Sequence, residues 1–206
     1  MAKCYIVGAG DCVRLDFKKE NEDFVIAADG GYRYLCDSQI TPDAVIGDFD
    51  SLGFLPESDN VIKLNPVKDV TDMKAAADYG IEKGYAEFHF YGACGGRFDH
   101  TLANVQLVAS LAKESFKAYI HDGDTVITAI CNGEIEFDSS HKGYISVFSH
   151  SDEAVGVDIE GLKYEVCNGK LKNSFPLGVS NEFIGKKSRV SVADGVLIVV
   201  YFNTTS

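Results

Sequence analysis

Glycine, aspartate or both are concentrated at five places in the first half of the chain. They read Gly8-Ala9-Gly10-Asp11, Ala28-Asp29-Gly30-Gly31, Gly47-Asp48-Phe49-Asp50-Ser51, Lys68-Asp69-Val70-Thr71-Asp72 and Gly92-Ala93-Cys94-Gly95-Gly96-Arg97-Phe98-Asp99-His100. Glycine lets a backbone approach a ligand closely. Carboxylates offer the hard oxygens that Mg²⁺ prefers. Arginine presents a planar charged fork that suits phosphate. One such stretch says little; five of them describe a metal-dependent phosphate site.

Each stretch also has a plainer reading. Gly8-Ala9-Gly10 opens like a dinucleotide fingerprint, but the third glycine position is Val13, which leaves a tight turn near a phosphate. Asp48 and Asp50 flank Phe49, so an extended segment puts both carboxylates on one face and Phe49 towards the core. Two such carboxylates repel unless a cation lies between them; the alternative is an Asx-type turn. Asp69-Val70-Thr71-Asp72 is either part of the site or a helix cap with favourable acids. Asp99 can cap the helix that follows Arg97, and that helix N-terminus itself favours anions. His100 either binds phosphate or caps. The other histidines are scattered and form no zinc pattern.

Elements must bring these residues together. Short apolar runs at Cys4–Val7, Phe24–Ala27, Ala44–Ile46, Val61–Leu64 and Glu87–Tyr91 suit strands buried on both faces of a parallel sheet. Every Gly-Asp stretch follows one of these runs, at the carboxyl ends where open α/β sheets bind ligands. Thr71 is placed to cap a helix with Met73, Ala76, Ala77 and Ile81 on one face and Gly84 as its stop. A second helix is expected from about Asp99 to Lys113, with Leu102, Val105, Ala109 and Ala112 at helical spacing. The alternation predicts an α/β N-terminal domain with a mostly parallel sheet.

The second half reads differently. Asn132-Gly133, Asn168-Gly169 and Asp194-Gly195 each separate two β-rich runs and supply the residues of two-residue hairpin turns. An all-β antiparallel domain is expected, with the boundary near 117–123, giving domains 1–118 and 119–206.

Composition narrows the class. A net charge of -12 repels a phosphate backbone, so nucleic acid is not an expected partner. No apolar stretch is long enough for a membrane span. The run Met1-Ala2-Lys3-Cys4-Tyr5-Ile6-Val7 is short for a secretory signal and reads as a first strand, so a cytoplasmic location is expected. The six cysteines lack Cys-x-x-Cys or zinc spacing and read as reduced core thiols.

In order and spacing, Ala28-Asp29-Gly30-Gly31, Pro42-Asp43 with Gly47-Asp48-Phe49-Asp50-Ser51, Asp69-Val70-Thr71-Asp72 and Gly95-Gly96-Arg97-Phe98-Asp99-His100 resemble the thiamine pyrophosphokinases. Gly161-Leu162-Lys163-Tyr164 and Val179-Ser180-Asn181-Glu182-Phe183 are similar to that family as well, so the resemblance covers nearly the whole chain. It implies an ATP- and Mg²⁺-binding catalytic domain followed by a sandwich-like domain that binds thiamine and dimerises. It implies that Asp29, Asp48, Asp50 and Asp72 surround Mg²⁺ and the ATP phosphates. Gly30, Lys68, Asp69, Thr71, Arg97, Asp99 and His100 would contact the nucleotide, and Asp48, Asp50, Asp72, Arg97 and Asp99 would carry catalysis. It implies a homodimer with the thiamine pocket between subunits, where Tyr164 stacks on thiamine and Ser180 and Asn181 reach its aminopyrimidine. Lys74, and Ser146–Ser151 without a proline, depart from the family pattern.

The implied reaction is attack of the thiamine hydroxyl on the β-phosphorus of ATP, with AMP leaving. Positioning and charge stabilisation supply most of the acceleration in such transfers. Asp99 or Asp72 is a candidate proton acceptor. An acidic cleft also suits the cationic thiazolium. Other readings are a pyrophosphokinase for a pterin or another heterocyclic alcohol, and a thiamine or nucleotide sensor. A calcium-binding loop lacks the twelve-residue pattern.

Overall fold

The computed structural model describes residues 2–12, 14–50, 53–54, 56, 58, 60–64 and 70–205. Lys68 and Asp69 lie outside the described residues, as does Ser51. The chain divides into two compact units, Met1–Leu107 with Ile120–Gly123, and Val108–Tyr119 with Asp124–Ser206.

The first unit contains β1 (Cys4–Val7), β2 (Phe24–Ala28), α1 (Gly31–Asp37), β3 (Ala44–Gly47), β4 (Val61–Lys63), α2 (Asp72–Glu82) and β5 (Glu87–Tyr91). The strand order is β5-β1-β2-β3-β4. All four pairings are parallel. The apolar runs thus form the expected sheet, and β1 and β3 are buried at every residue. Removing each such Val or Ile from water contributes about 1.5–3 kcal/mol. The chain steps outward from β1 to β4 and then returns to place β5 on the other side of β1. The strand order therefore reverses beside β1, where open sheets leave a crevice.

Thr71 caps α2 as expected, its side chain accepting from the Lys74 N–H at 3.2 Å. The core face is Met73, Ala76, Ala77 and Gly80, with Ile81 only partly buried. A Cβ at Gly80 would come within 2.7 Å of the Phe88 ring and 2.9 Å of Cys4 Sγ, so glycine lets the helix lie close to the sheet. Lys74 forms an i,i+4 pair with Asp78 at 2.5 Å.

α3 (Phe98–Lys113) and β6 (Lys117–Asp122) contribute residues to both units. The expected face of α3 is corrected in part, since Val105 and Ala112 are half-buried. Asn104, Leu107, Val108 and Leu111 are buried, together with Ala109, whereas Leu102 is exposed. The helix is apolar around much of its girth, and a buried asparagine sits where an apolar stripe would be sought.

The second unit is the expected antiparallel domain. It adds β7 (Thr125–Cys131), β8 (Glu134–Phe137), β9 (His141–Lys142), β10 (Tyr144–Ser149), β11 (Glu153–Glu160), β12 (Val166–Lys172), β13 (Gly178–Glu182), β14 (Ser188–Asp194), β15 (Val196–Phe202) and β16 (Thr204–Thr205). The order β13-β10-β15-β7 makes one layer and β12-β11-β14-β8 the other. A shared core of Ile145, Val147, Leu197 and Val199 from the first layer, with Val157, Ile159, Val190 and Val192 from the second, makes a sandwich. β9 and β16 pair separately.

None of the three expected hairpins forms. β7 pairs with β15, whereas β8 pairs with β14, so Asn132-Gly133 carries the chain from one layer to the other. Asp194-Gly195 does the same between β14 and β15. The two crossings are tied together: Gly195 N–H donates to Asn132 Oδ1 at 2.8 Å, and Asn132 N–H to Gly195 O at 3.1 Å. Asn168-Gly169 lies within β12, where the register against β11 shifts and Asn168 takes a φ of 47°. That is a bulge, which needs the same left-handed residue as a turn.

Candidate functional site

The loops after β1 and β5 run side by side. Gly8 N–H donates to Tyr91 O and Gly10 N–H to Gly92 O, both at 2.8 Å. A Cβ at Gly10 would stand 2.4 Å from Cys94 O, and one at Gly92, where φ is 57°, would stand 2.4 Å from Gly8 O. Glycine is required at both positions because two backbones touch there. The cleft beside these loops measures about 480 Å³ and opens at the carboxyl ends of the strands. Asp29, Thr71, Asp72, Arg97 and His100 line it, with the two glycine loops, Asp11, Met73 and Asn104. A larger, open depression holds Phe24, Pro42 and Asp43, which precede or begin strands; it gathers no glycine loop, and the cleft is the better candidate.

Asp29 has a left-handed φ of 48°, and its N–H donates to Ile46 O at 2.8 Å. A non-glycine residue held there costs about 1–3 kcal/mol, a strain that gathers at functional positions. Its Oδ1 is buried. Gly30 stands at the start of α1. Asp72 opens α2 just after the Thr71 cap, and both residues also line the cleft, so a helix cap and a cleft wall are compatible at these two positions.

Asp48 and Asp50 follow β3, whose Gly47 lies against Asp29: a Cβ there would meet Asp29 Cα at 2.9 Å. The extended segment expected at Asp48–Asp50 is corrected to a turn. Phe49 has a φ of 63°, and Asp50 N–H donates to Asp48 Oδ1 at 3.1 Å. Phe49 enters the core as expected. Asp50 is exposed, and neither carboxylate is among the described residues lining the cleft. Among the described residues, no three His, Cys, Asp or Glu side chains stand together so as to hold a metal ion.

Arg97 and Asp99 are both exposed and grip each other, with Nη2 to Oδ2 at 2.6 Å and Nε to Oδ1 at 3.2 Å. The Asp99 carboxylate raises the Arg97 pKa, and the guanidinium lowers that of Asp99. An incoming phosphate would meet a guanidinium already fully charged and would compete with Asp99 for it. Asp99 also accepts from the His100 N–H at 3.0 Å.

Asp11 was named in the first stretch but given no role of its own, and Asn104 escaped the sequence reading altogether. Asp11 Oδ2 accepts from the Gly96 N–H at 3.0 Å and links the two glycine loops. Buried Asn104 donates from Nδ2 to Ala93 O at 2.7 Å and anchors the β5 loop to α3. A polar residue among apolar helix positions was the available signal for Asn104.

In the second unit the structure brings Gly161–Tyr164 against Ser180–Phe183. Leu162 bridges Phe183, and Lys163 N–H donates to Glu182 O at 3.0 Å. Lys163 Nζ reaches Glu182 Oε1 at 2.7 Å and lies 5.5 Å from the Tyr164 ring centroid. Asn181 is buried and bonded to the Tyr164 backbone, while the Tyr164 ring is exposed. Ser180 is exposed with a φ of 59°, and its N–H donates to Ser146 Oγ at 3.1 Å.

Residues 17–120 match the family described as thiamin pyrophosphokinase, catalytic domain, and residues 133–197 match thiamin pyrophosphokinase, vitamin B1 binding domain. The chain is 32% identical over 183 residues to a thiamine pyrophosphokinase of Bacillus subtilis, covering 85% of each. A crystal structure of thiamine pyrophosphokinase from Bacillus subtilis superimposes with a TM-score of 0.87 at 28% identity, covering 97% of this chain and 98% of that one. The enzyme from Geobacillus thermodenitrificans gives 0.84 at 27% identity, with 99% of each chain covered.

Proposed function

Because the chain belongs to the thiamin pyrophosphokinase family, we propose that it transfers a diphosphate from ATP to the hydroxyethyl group of thiamine. The carrying observation is the cleft itself: two glycine loops in backbone contact, with Asp29, Asp72 and Arg97 on its walls. The glycines let phosphates lie against the backbone, and Arg97 adds a charged fork. Thr71 and His100 line the same cleft and would contact the nucleotide there. Gly30, Lys68 and Asp69 belong to the same nucleotide set by family resemblance.

The donor set suits a hard divalent cation. Mg²⁺ takes one or two carboxylates and fills its shell with waters and phosphate oxygens, so a ready cage of three acids is not required. Asp29 and Asp72 would hold it, with Asp48 and Asp50 supplying further carboxylates from the adjoining strand end. Bound there, the ion neutralises phosphate charge during transfer.

The thiamine oxygen attacks the β-phosphorus. An O–P bond forms, the bond from the β-phosphorus to its bridge oxygen breaks, and that oxygen leaves on AMP. The hydroxyl proton passes to a carboxylate, Asp72 or Asp99. Tyr164 offers its exposed ring to thiamine, and Ser180 offers its hydroxyl. The catalytic role belongs to 1–118 and the thiamine-binding and dimer-forming role to 119–206. The working form is a homodimer in the cytoplasm with thiamine between subunits. Exposed Tyr144, Tyr164, Val179 and Ile184 give the second unit an apolar surface to bury. No described helix is long and apolar enough to cross a membrane.

Incubation with ATP, Mg²⁺ and thiamine should yield AMP and thiamine diphosphate in equal amounts, and EDTA should stop it. AMP formed only with a pterin or another alcohol would overturn the acceptor. Thiamine binding without AMP would favour a sensor.

A further inference from the structure

Asn181 is 6% exposed, so its amide has little access to anything outside the fold. Its oxygen accepts from the Tyr164 N–H at 2.9 Å and from the Glu182 N–H at 2.9 Å. Its Nδ2 donates to Tyr164 O at 2.7 Å. The side chain thus binds both polar groups of one backbone residue, as a neighbouring strand would. Asn181 itself is fixed in β13 opposite Ile145 of β10.

Tyr164 lies in the bend between β11 and β12, beyond the Leu162–Phe183 bridge. The residue is 60% exposed, so burial in the core does not set the direction of its ring. What holds the residue is its backbone, through Asn181. Lys163, pinned to Glu182, stands over the ring. A flat exposed ring on a fixed backbone binds a planar cation at less entropic cost than the same ring on a free bend.

We infer that Asn181 is a positioning residue for Tyr164: it acts on thiamine through the tyrosine and not by direct contact. This rests on the reading of Tyr164 as a thiamine contact. An asparagine whose polar atoms hold the bend serves the substrate only as long as the tyrosine is there to be held.

The test is a double-mutant cycle on the full-length protein, read as the thiamine KM and the ATP KM. Tyr164→Ala and Asn181→Ala should each raise the thiamine KM about tenfold, the effect of about 1.4 kcal/mol, with the ATP KM within about twofold. In the Tyr164→Ala background, Asn181→Ala should add less than about twofold, because coupled residues are not additive. Multiplying effects would mean that Asn181 touches thiamine itself, which overturns the inference and leaves the Tyr164 reading standing. An unchanged thiamine KM in Tyr164→Ala would overturn both. Hydrogen exchange gives a second readout that needs no turnover. The Tyr164 amide should lose protection in Asn181→Ala and keep most of it in Asn181→Asp, which retains the accepting oxygen. Equal protection in wild type and Asn181→Ala would contradict the inference.

Discussion

The cleft of the first unit and the Tyr164 bend of the second are built by opposite means. The cleft is shaped by backbone: Gly8, Gly10 and Gly92 bring two loops into contact, and Asp11, Asp29, Asp72 and Arg97 put charge on its walls. The bend is shaped by side chains: Asn181 holds Tyr164, and Glu182 holds Lys163. In the proposed function a polyphosphate would be met by amides and fixed charges, which suit any anion of the right length. A ring would be met by a ring whose orientation must be set by something else. The difference predicts that the two regions fail separately.

The largest effect should come from the cleft carboxylates. Asp72→Asn should lower kcat by roughly 100- to 1,000-fold, the scale of removing one group aimed at developing charge, with the melting temperature nearly unchanged. Steady-state kinetics and calorimetry on one preparation check this. Gly10→Ala should follow, at about 100-fold in turnover, since a misplacement of about 1 Å can cost that much. Its Cβ would press on Cys94 O and Gly92 O, backbone atoms that cannot swing aside. The same readout for Tyr164→Ala should be about tenfold, in thiamine KM alone.

Acid should loosen the first unit before the second. His121 stacks on Tyr91 and meets His89, whose Nδ1 lies 2.9 Å from His121 Nε2. Burial, and then the charge of His89, push the His121 pKa down to about 4, and burial lowers that of His89. Unfolded histidine takes up its proton near 6.5. Between about 6.5 and 4 the unfolded state therefore binds more protons, so stability is full above that window and falls as the pH drops through it. The loss should be on the order of 3 kcal/mol, and His121→Gln should flatten it. Hydrogen exchange should quicken in β5 and β6 while the Asn181–Tyr164 contact persists.

The smallest effect tests the corrected face of α3. Leu102→Ser should change stability by no more than about 0.5 kcal/mol, whereas Leu111→Ala should cost about 2–5 kcal/mol. Urea titration of both separates the two faces.

These contrasts also mark what the amino-acid order discloses. The parallel strands were legible because continuous apolar runs report burial on both faces, and the Gly-Asp stretches follow each run. The paths of the second-unit strands were not. Asn132-Gly133 and Asp194-Gly195 do mark reversals of backbone conformation, but which strand pairs next is decided by two layers closing over one core. Asn168 needed a positive φ for a bulge, and a bulge and a turn leave the same trace. Phe49 was rightly sent to the core, yet the left-handed φ that takes it there also makes Asp48–Asp50 a turn. Asn181 and Tyr164 are seventeen positions apart, and only the fold brings them together.

The division of labour is tested most directly by titrating a non-hydrolysable ATP analogue with Mg²⁺ into wild type, Asp72→Asn and Tyr164→Ala. The account predicts at least a tenfold weaker affinity in Asp72→Asn, a loss of about 1.4 kcal/mol, and wild-type affinity in Tyr164→Ala. A Tyr164→Ala protein that remains folded and binds the analogue as poorly as Asp72→Asn would contradict it.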